Sequence, residues 1–357
     1  MLERQSYEIL QRWRSEQRFI RADIRQLLKL EFESGRATAF NLTLMNGERE
    51  MRHRARLFSY SCDRIIKICQ EMGFLSEETI IETLWVLWLP LTLQLAEKKQ
   101  NLSRPLIQGI LGGQGSGKTT LTQIVCLLLQ YLGYKAIGIS IDDFYKTYAE
   151  RQQLKIKDPR LMRRGPPGTH DLNLALKTFN QLLQAKPKEL IPIPRFNKAL
   201  HHGDGDRLPS PEFVHDIDLI LFEGWFVGVR PVEKTFFNQS LPREVAEVIS
   251  LRYLQFARDN RRRLKEYLPL WGKLDSLIVL YPQDYRWSLA WRIEAEHQMI
   301  ASQHTGMSDA EVQEFVYYFW RSLHPELYIK PLIRDPRYVD LVIEIAQDHR
   351  PCSLYRP

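Results

Sequence analysis

Through residues 1–102 the apolar positions recur at spacings of three and four, as in Ile24, Leu27 and Leu28 and again in Ile65, Ile66 and Cys69. That period predicts amphipathic helices. Ser76, followed by Glu78 and Thr79, marks a helix start. The most apolar run, 84–96 (LWVLWLPLTLQLA), predicts a buried helix interrupted near Pro90. As a run it falls short of the roughly 20 residues that cross a bilayer. From Pro105 the pattern changes. Short apolar runs at 106–111, 135–141, 217–222 and 277–281 predict buried parallel strands, and 191–194 a short extended segment. Segments 119–132, 172–183, 285–302 and 308–323 carry helical periodicity, the last two joined by a turn at Gly306, and 337–344 predicts a last strand or the start of a helix. Strands alternating with helices predict an α/β fold with a largely parallel sheet flanked by helices. Residues 1–102 then form a helical N-terminal extension packed on an α/β domain of residues 103–357.

Composition narrows the function classes without choosing among them. The 357 residues are 44% hydrophobic and 26% charged, ordinary values for a globular chain with a sizeable core. A formal charge of +7, from 50 basic and 43 acidic residues, suits an enzyme of anionic substrates and does not imply nucleic acid. The densest basic stretch, Arg258, Arg261, Arg262, Arg263 and Lys265, lacks interleaved aromatics and reads as a solvated helix face. Cys62, Cys69, Cys126 and Cys352 form no CxxC pair and no zinc spacing, so a reducing compartment is expected. The start, MLERQSYEIL, has charges and no apolar core of a secretory signal. A cytoplasmic protein with no membrane or nucleic-acid partner is the expectation.

The segment Gly112-Gly113-Gln114-Gly115-Ser116-Gly117-Lys118-Thr119 fits G-x-x-x-x-G-K-[ST], with a strand before it and a helix after it. Glycines let the backbone curl so that N–H groups converge on phosphate oxygens, and the helix start adds its positive end. Lys118 is placed to bridge the β- and γ-phosphates of ATP, and the Thr119 hydroxyl to ligate Mg²⁺, with Thr120 completing the loop. The second strand ends in Asp142-Asp143-Phe144-Tyr145, putting two carboxylates at a strand's C-terminal end, where open α/β sheets bind ligands. A carboxylate there accepts a proton from an attacking hydroxyl or holds the metal. The third strand ends in Glu223-Gly224-Trp225, an aliphatic run closed by an acid that can hold Mg²⁺ directly or through water.

A P-loop followed by DDFY and LFEGW resembles the kinase family of phosphoribulokinase, uridine kinase and pantothenate kinase. Within it, Arg164-Gly165-Pro166-Pro167-Gly168-Thr169-His170-Asp171 is similar to the RGxPGTHD segment of the D-glycerate 3-kinases of plants, fungi and cyanobacteria. So are Pro194-Arg195-Phe196-Asn197-Lys198 and Gly306-Met307-Ser308-Asp309. The resemblance covers about residues 85–330. It implies Asp142 as catalytic base and a helical lid at about 284–323. Arg292 is the preferred lid arginine and Arg286 the second, placing positive charge over the transferring phosphoryl group. It also implies a cation for the substrate carboxylate among Arg164, Arg195 and Lys198, with Arg195 preferred for its bidentate fork and Lys198 next. His170 and Asp171 are candidates for binding hydroxyls, although Asp171 is equally placed to cap the helix that follows. The expected reaction is phosphorylation of D-glycerate by ATP to give 3-phosphoglycerate. The rivals are another small-molecule kinase of the family, acting on a nucleoside or pantothenate, and a P-loop regulatory ATPase.

Overall fold

The computed structural model describes residues 4–16, 19–74, 76–238, 240–303 and 307–357. Its centre is a six-stranded sheet built from β1 (Leu106–Gly112), β2 (Ala136–Ser140), β3 (Leu219–Gly224), β4 (Ser276–Pro282), β5 (Leu341–Ile345) and β6 (Pro351–Tyr355). The order is β6-β5-β4-β1-β3-β2, parallel except for β6 against β5. Both faces of the central strands β1, β3 and β4 are covered, which is why they are buried almost continuously, whereas the edge strand β2 alternates between buried and half-buried residues. Leu106 and Ile110 of β1 point to one face with Leu219 and Leu221, whereas Ile107 and Leu111 point to the other with Ile220 and Phe222. Of the segment 337–344, residues 341–344 form a strand and the residues before them a turn. The antiparallel β6 beyond it, where the exposed Cys352 and half-buried Ser353 interrupt the apolar pattern, was not legible in the periodicity.

The first face is buried by the helix that follows the P-loop (Lys118–Tyr131) and by the N-terminal helices, among them Arg4–Glu16, Arg21–Glu33 and Gly47–Glu71. Trp13, Phe58 and Trp85 meet edge to face at the heart of this layer. Cys62 and Cys69 lie buried along one face of the helix Gly47–Glu71, and both are free thiols. Helix 77–100 is not interrupted at Pro90. A π-helical turn at Leu84–Trp88 precedes the proline, and the chain continues helically to Gln100. The widened turn leaves room for a ring that has no N–H to donate. By length and composition Glu77–Gln100 could cross a membrane; here 72% of its most apolar window is buried inside the protein.

Beyond β2 the chain forms the helices Tyr148–Lys157 and Leu172–Gln184, a short antiparallel pair Ile191–Ile193 with Glu212–Val214, and the helix Leu251–Leu264. The basic stretch on that last helix is not a free solvated face. Arg258 and Arg261 donate to the carbonyls of Phe237 and Val232, and Arg263 pairs with Asp158 at 2.6 Å, so the arginines fasten neighbouring loops. The expected lid helices are present as Trp287–Gln303 and Asp309–Ser322. The turn expected at Gly306 lies outside the described residues.

Candidate active site

Sheet register assembles the site. Ile110 of β1 pairs with Glu223 of β3, which pairs with Ser140 of β2, so the P-loop, the acid after β3 and the Asp142–Asp143 turn emerge side by side. They border a cleft of about 280 Å³, which Arg292, Phe315 and Phe319 of the lid helices also line. Lys118, Lys198, Arg164 and Arg292 face it, against the carboxylates Asp142 and Glu223. Four cations against two acids make it an anion site with room for a phosphate chain.

Each charge is held by a specific partner. Burial pushes the Lys118 ammonium below its ordinary pKa, opposed by Glu223 and Asp142, and its Nζ donates to the Gly113 carbonyl at 2.7 Å. The Thr119 hydroxyl donates to Glu223 Oε1 at 3.3 Å. Glu223 has its pKa raised, first by burial. Burial also pushes the Asp142 carboxyl up, but the Lys198 ammonium at 2.7 Å and the Tyr145 hydroxyl outweigh it, and the group lies below its ordinary value. It is an ionised acceptor at neutral pH. The backbone turns tightly here because Ser140 caps the 3₁₀ turn Ile141–Phe144, accepting from the Asp142 N–H. Arg292 is tied to Glu296 at 2.5 Å, and Glu296 also accepts the Met307 N–H at 2.9 Å, so one carboxylate links the lid arginine to the start of the second lid helix. Ser308 caps that helix in a capping box with Glu311, which gives the Met307-Ser308-Asp309 segment a structural role.

Three residues expected at the substrate lie elsewhere. Arg195 does not reach the cleft. Its guanidinium is spread between Asp143 at 2.9 Å, Glu212 at 2.8 Å and the Gly138 carbonyl at 3.1 Å, bolting the segment 195–198 to the sheet edge. Asp171 caps the helix Leu172–Gln184, accepting from the Leu174 N–H at 3.0 Å. His170 is buried behind Tyr145, its ring stacked on the tyrosine at 4.4 Å and its Nδ1 2.8 Å from the Tyr267 hydroxyl. Burial drives its pKa to about 3, so it stays neutral. Arg286 pairs with Asp284 outside the cleft. Arg164 does face the cleft. It donates to the Gly203 carbonyl, its guanidinium lies 5.8 Å from the Phe196 ring, and no acidic partner holds it among the described contacts.

Tyr145, Trp225, Phe315 and Phe319 also line the cleft and were not singled out by sequence reasoning. Only the Tyr of DDFY and the Trp of LFEGW carried a signal, by standing next to the acids. Trp225 explains much of the RGPPGTHD segment. Its indole donates to the Gly165 carbonyl at 3.1 Å and its ring meets Phe319 of the lid at 4.8 Å. Gly165 has φ +130°, and a Cβ there would lie 2.5 Å from Phe319. Only glycine both adopts that backbone and lets the lid close on it.

A parallel sheet with a glycine loop running into a helix, a lysine and a hydroxyl at that helix start, acids on the two neighbouring strand ends and an arginine-bearing lid define a P-loop nucleotide-dependent kinase fold. The chain belongs to the family of P-loop kinases that includes D-glycerate 3-kinase. It is 34% identical over 259 residues to the chloroplastic D-glycerate 3-kinase of Arabidopsis thaliana, a match covering 69% of this chain and 54% of the plant protein. The chain thus spans about half the length of that relative. The uncharacterized kinase mug58 of Schizosaccharomyces pombe is 33% identical over 223 residues, covering 60% of this chain and 79% of its own. The structure of D-glycerate 3-kinase from Cryptococcus neoformans superposes with a TM-score of 0.64 at 24% identity, over 74% of this chain and 96% of its own, and shares the fold. No protein-family model matches the chain.

Proposed function

We propose that this chain transfers the γ-phosphoryl group of ATP to the primary hydroxyl of D-glycerate, giving 3-phosphoglycerate. The observation that carries the reading is the grouping of Lys118, Thr119, Asp142 and Arg164 around one small cationic cleft in a chain related to D-glycerate 3-kinase. The P-loop N–H groups and Lys118 take the phosphates. Thr119 and Glu223 fit Mg²⁺, being hard oxygen donors 3.3 Å apart beside the loop. When bound, the ion neutralises charge on the phosphate oxygens. Asp142 accepts the substrate hydroxyl and, as an ionised carboxylate, orients it for in-line attack and takes its proton. Lys198, paired with Asp142, is the group that turns to the arriving phosphate and leaves the carboxylate free. Arg292 covers the transferring group and the lid excludes water, which would compete as acceptor.

With Arg195 bonded elsewhere, Arg164 is the anchor for the substrate carboxylate. Fixing glycerate by that end presents its far, primary hydroxyl to Asp142. ADP release in the presence of Mg²⁺ should require D-glycerate and be weak with glycerol, uridine or pantothenate. ADP release driven best by a nucleoside or pantothenate would replace glycerate as the acceptor, and release without any acceptor would point to a regulatory ATPase.

A further inference from the structure

The P-loop stands between two cavities. Lys118 and Thr119 face the cationic cleft. Thr120, one step round the helix, faces a second cavity of about 390 Å³, which Gly115 and Gly117 also border. Gly115 borders both cavities, so a nucleotide whose terminal phosphates lie in the first can extend the rest of its length into the second.

Two walls of that cavity belong to the α/β domain. Trp291 of the first lid helix packs directly on the P-loop, so that a Cβ on Gly115 would meet its Cβ at 2.7 Å. Its indole donates to the Gln347 carbonyl at 2.7 Å and its ring lies 4.5 Å from that of His349, in the turn between β5 and β6. The result is a fixed aromatic wall beside the glycines, an apolar surface against which a planar base can pack. The remaining wall comes from the N-terminal region, through Phe74 between two helices and through Thr79, Thr83 and Leu87, which are spaced by four along helix 77–100 and so share one face. The hydroxyl hydrogens of the threonines are already used. Thr83 Oγ1 donates to the Thr79 carbonyl at 2.8 Å, and Thr79 Oγ1 donates to Ser76 Oγ at 3.1 Å. What both oxygens offer the cavity is acceptor capacity. The Glu294 carboxylate on its lid side adds a further acceptor.

We propose that the N-terminal helices are part of the nucleotide site: the base of the triphosphate seats in this second cavity, and Thr79 and Thr83 select a purine with an amino group at its six position over one with a carbonyl there. The inference rests on the P-loop reading and extends it to residues outside the segments that carry the family resemblance. Its test is calorimetric titration of the full chain, with Mg²⁺, against ATP, ITP and inorganic tripolyphosphate. The wild type should bind ATP about tenfold or more tighter than either other ligand, the scale of one stacking or hydrogen-bonding contact. Thr83→Trp should weaken ATP by a similar factor and leave tripolyphosphate unchanged. Thr83→Val keeps the volume and removes the acceptor, so it should bring ATP and ITP together, with circular dichroism confirming the fold of both variants. Equal affinity of the wild type for ATP and tripolyphosphate, unchanged ATP binding in Thr83→Trp, or an unchanged ATP-to-ITP ratio in Thr83→Val would overturn the proposal while the P-loop reading stands. Failure of the wild type to bind ATP and tripolyphosphate alike would overturn both.

Discussion

Asp142 faces the cleft with Lys198 on its carboxylate, while the adjacent Asp143 turns back to Arg195 and accepts the Ser140 and Phe196 N–H groups at 3.0 and 3.2 Å. The two residues should therefore fail differently. Asp142→Asn should lower kcat by about 10²–10⁴-fold, the range for losing a general base, with ATP affinity little changed. Asp143→Asn should instead lose about 1–3 kcal/mol of folding stability in urea, because it breaks a partly buried ion pair. Arg195→Ala should behave like Asp143→Asn and leave the preference for glycerate over glycerol intact. Arg164→Ala should raise the KM for glycerate and erode that preference; the reverse pattern would return the carboxylate to Arg195. His170 supplies a pH signature. Burial holds its pKa and that of His324 at about 3, whereas an unfolded histidine titrates near 6.5. Between those values the unfolded chain binds more protons, so stability falls as pH drops through that window, by up to about 1.4 kcal/mol per pH unit for each histidine. His170→Gln should make the fall between pH 6.5 and pH 5 shallower, and an unaltered slope would show that His170 is not buried neutral.

At the scale of elements, the RGPPGTHD loop and the second lid helix meet where Gly165 touches Phe319. Gly165→Ala should cost about 1–3 kcal/mol through its positive φ alone and should lower kcat/KM by displacing the lid; normal turnover in a folded variant would separate the loop from lid closure. The elements were legible wherever burial imposed a pattern. Strands β1 to β4, the P-loop helix and both lid helices read directly from apolar runs and helical spacing, because each buries at least one face in the core. The edge strand Pro351–Tyr355 and the helix Tyr148–Lys157 did not, since partial exposure leaves mixed sequences. In the site, P-loop chemistry was legible because the loop's function is its own local backbone. The partner of Arg195 was not, because the fork that suits a substrate carboxylate suits Asp143 and Glu212 equally well, and only the fold decides which acid lies nearest.

Across the whole molecule, the N-terminal helices share one hydrophobic core with the P-loop helix and a face of the sheet, so their packing and the P-loop are mechanically connected. The cationic cleft sits at the C-terminal ends of β1, β2 and β3, with Lys118, Thr119 and Arg164 among its lining residues. In that arrangement Lys118→Ala should abolish phosphoryl transfer while circular dichroism and melting remain near wild type, because Lys118 lies in the cleft rather than in the core. The most direct measurement is phosphorus NMR of the product formed from ATP, Mg²⁺ and D-glycerate, with ADP counted in parallel. One ADP for each 3-phosphoglycerate, with little turnover of glycerol, is the predicted result. Formation of 2-phosphoglycerate, equal use of glycerol, or ADP release without a phosphorylated acceptor would contradict it.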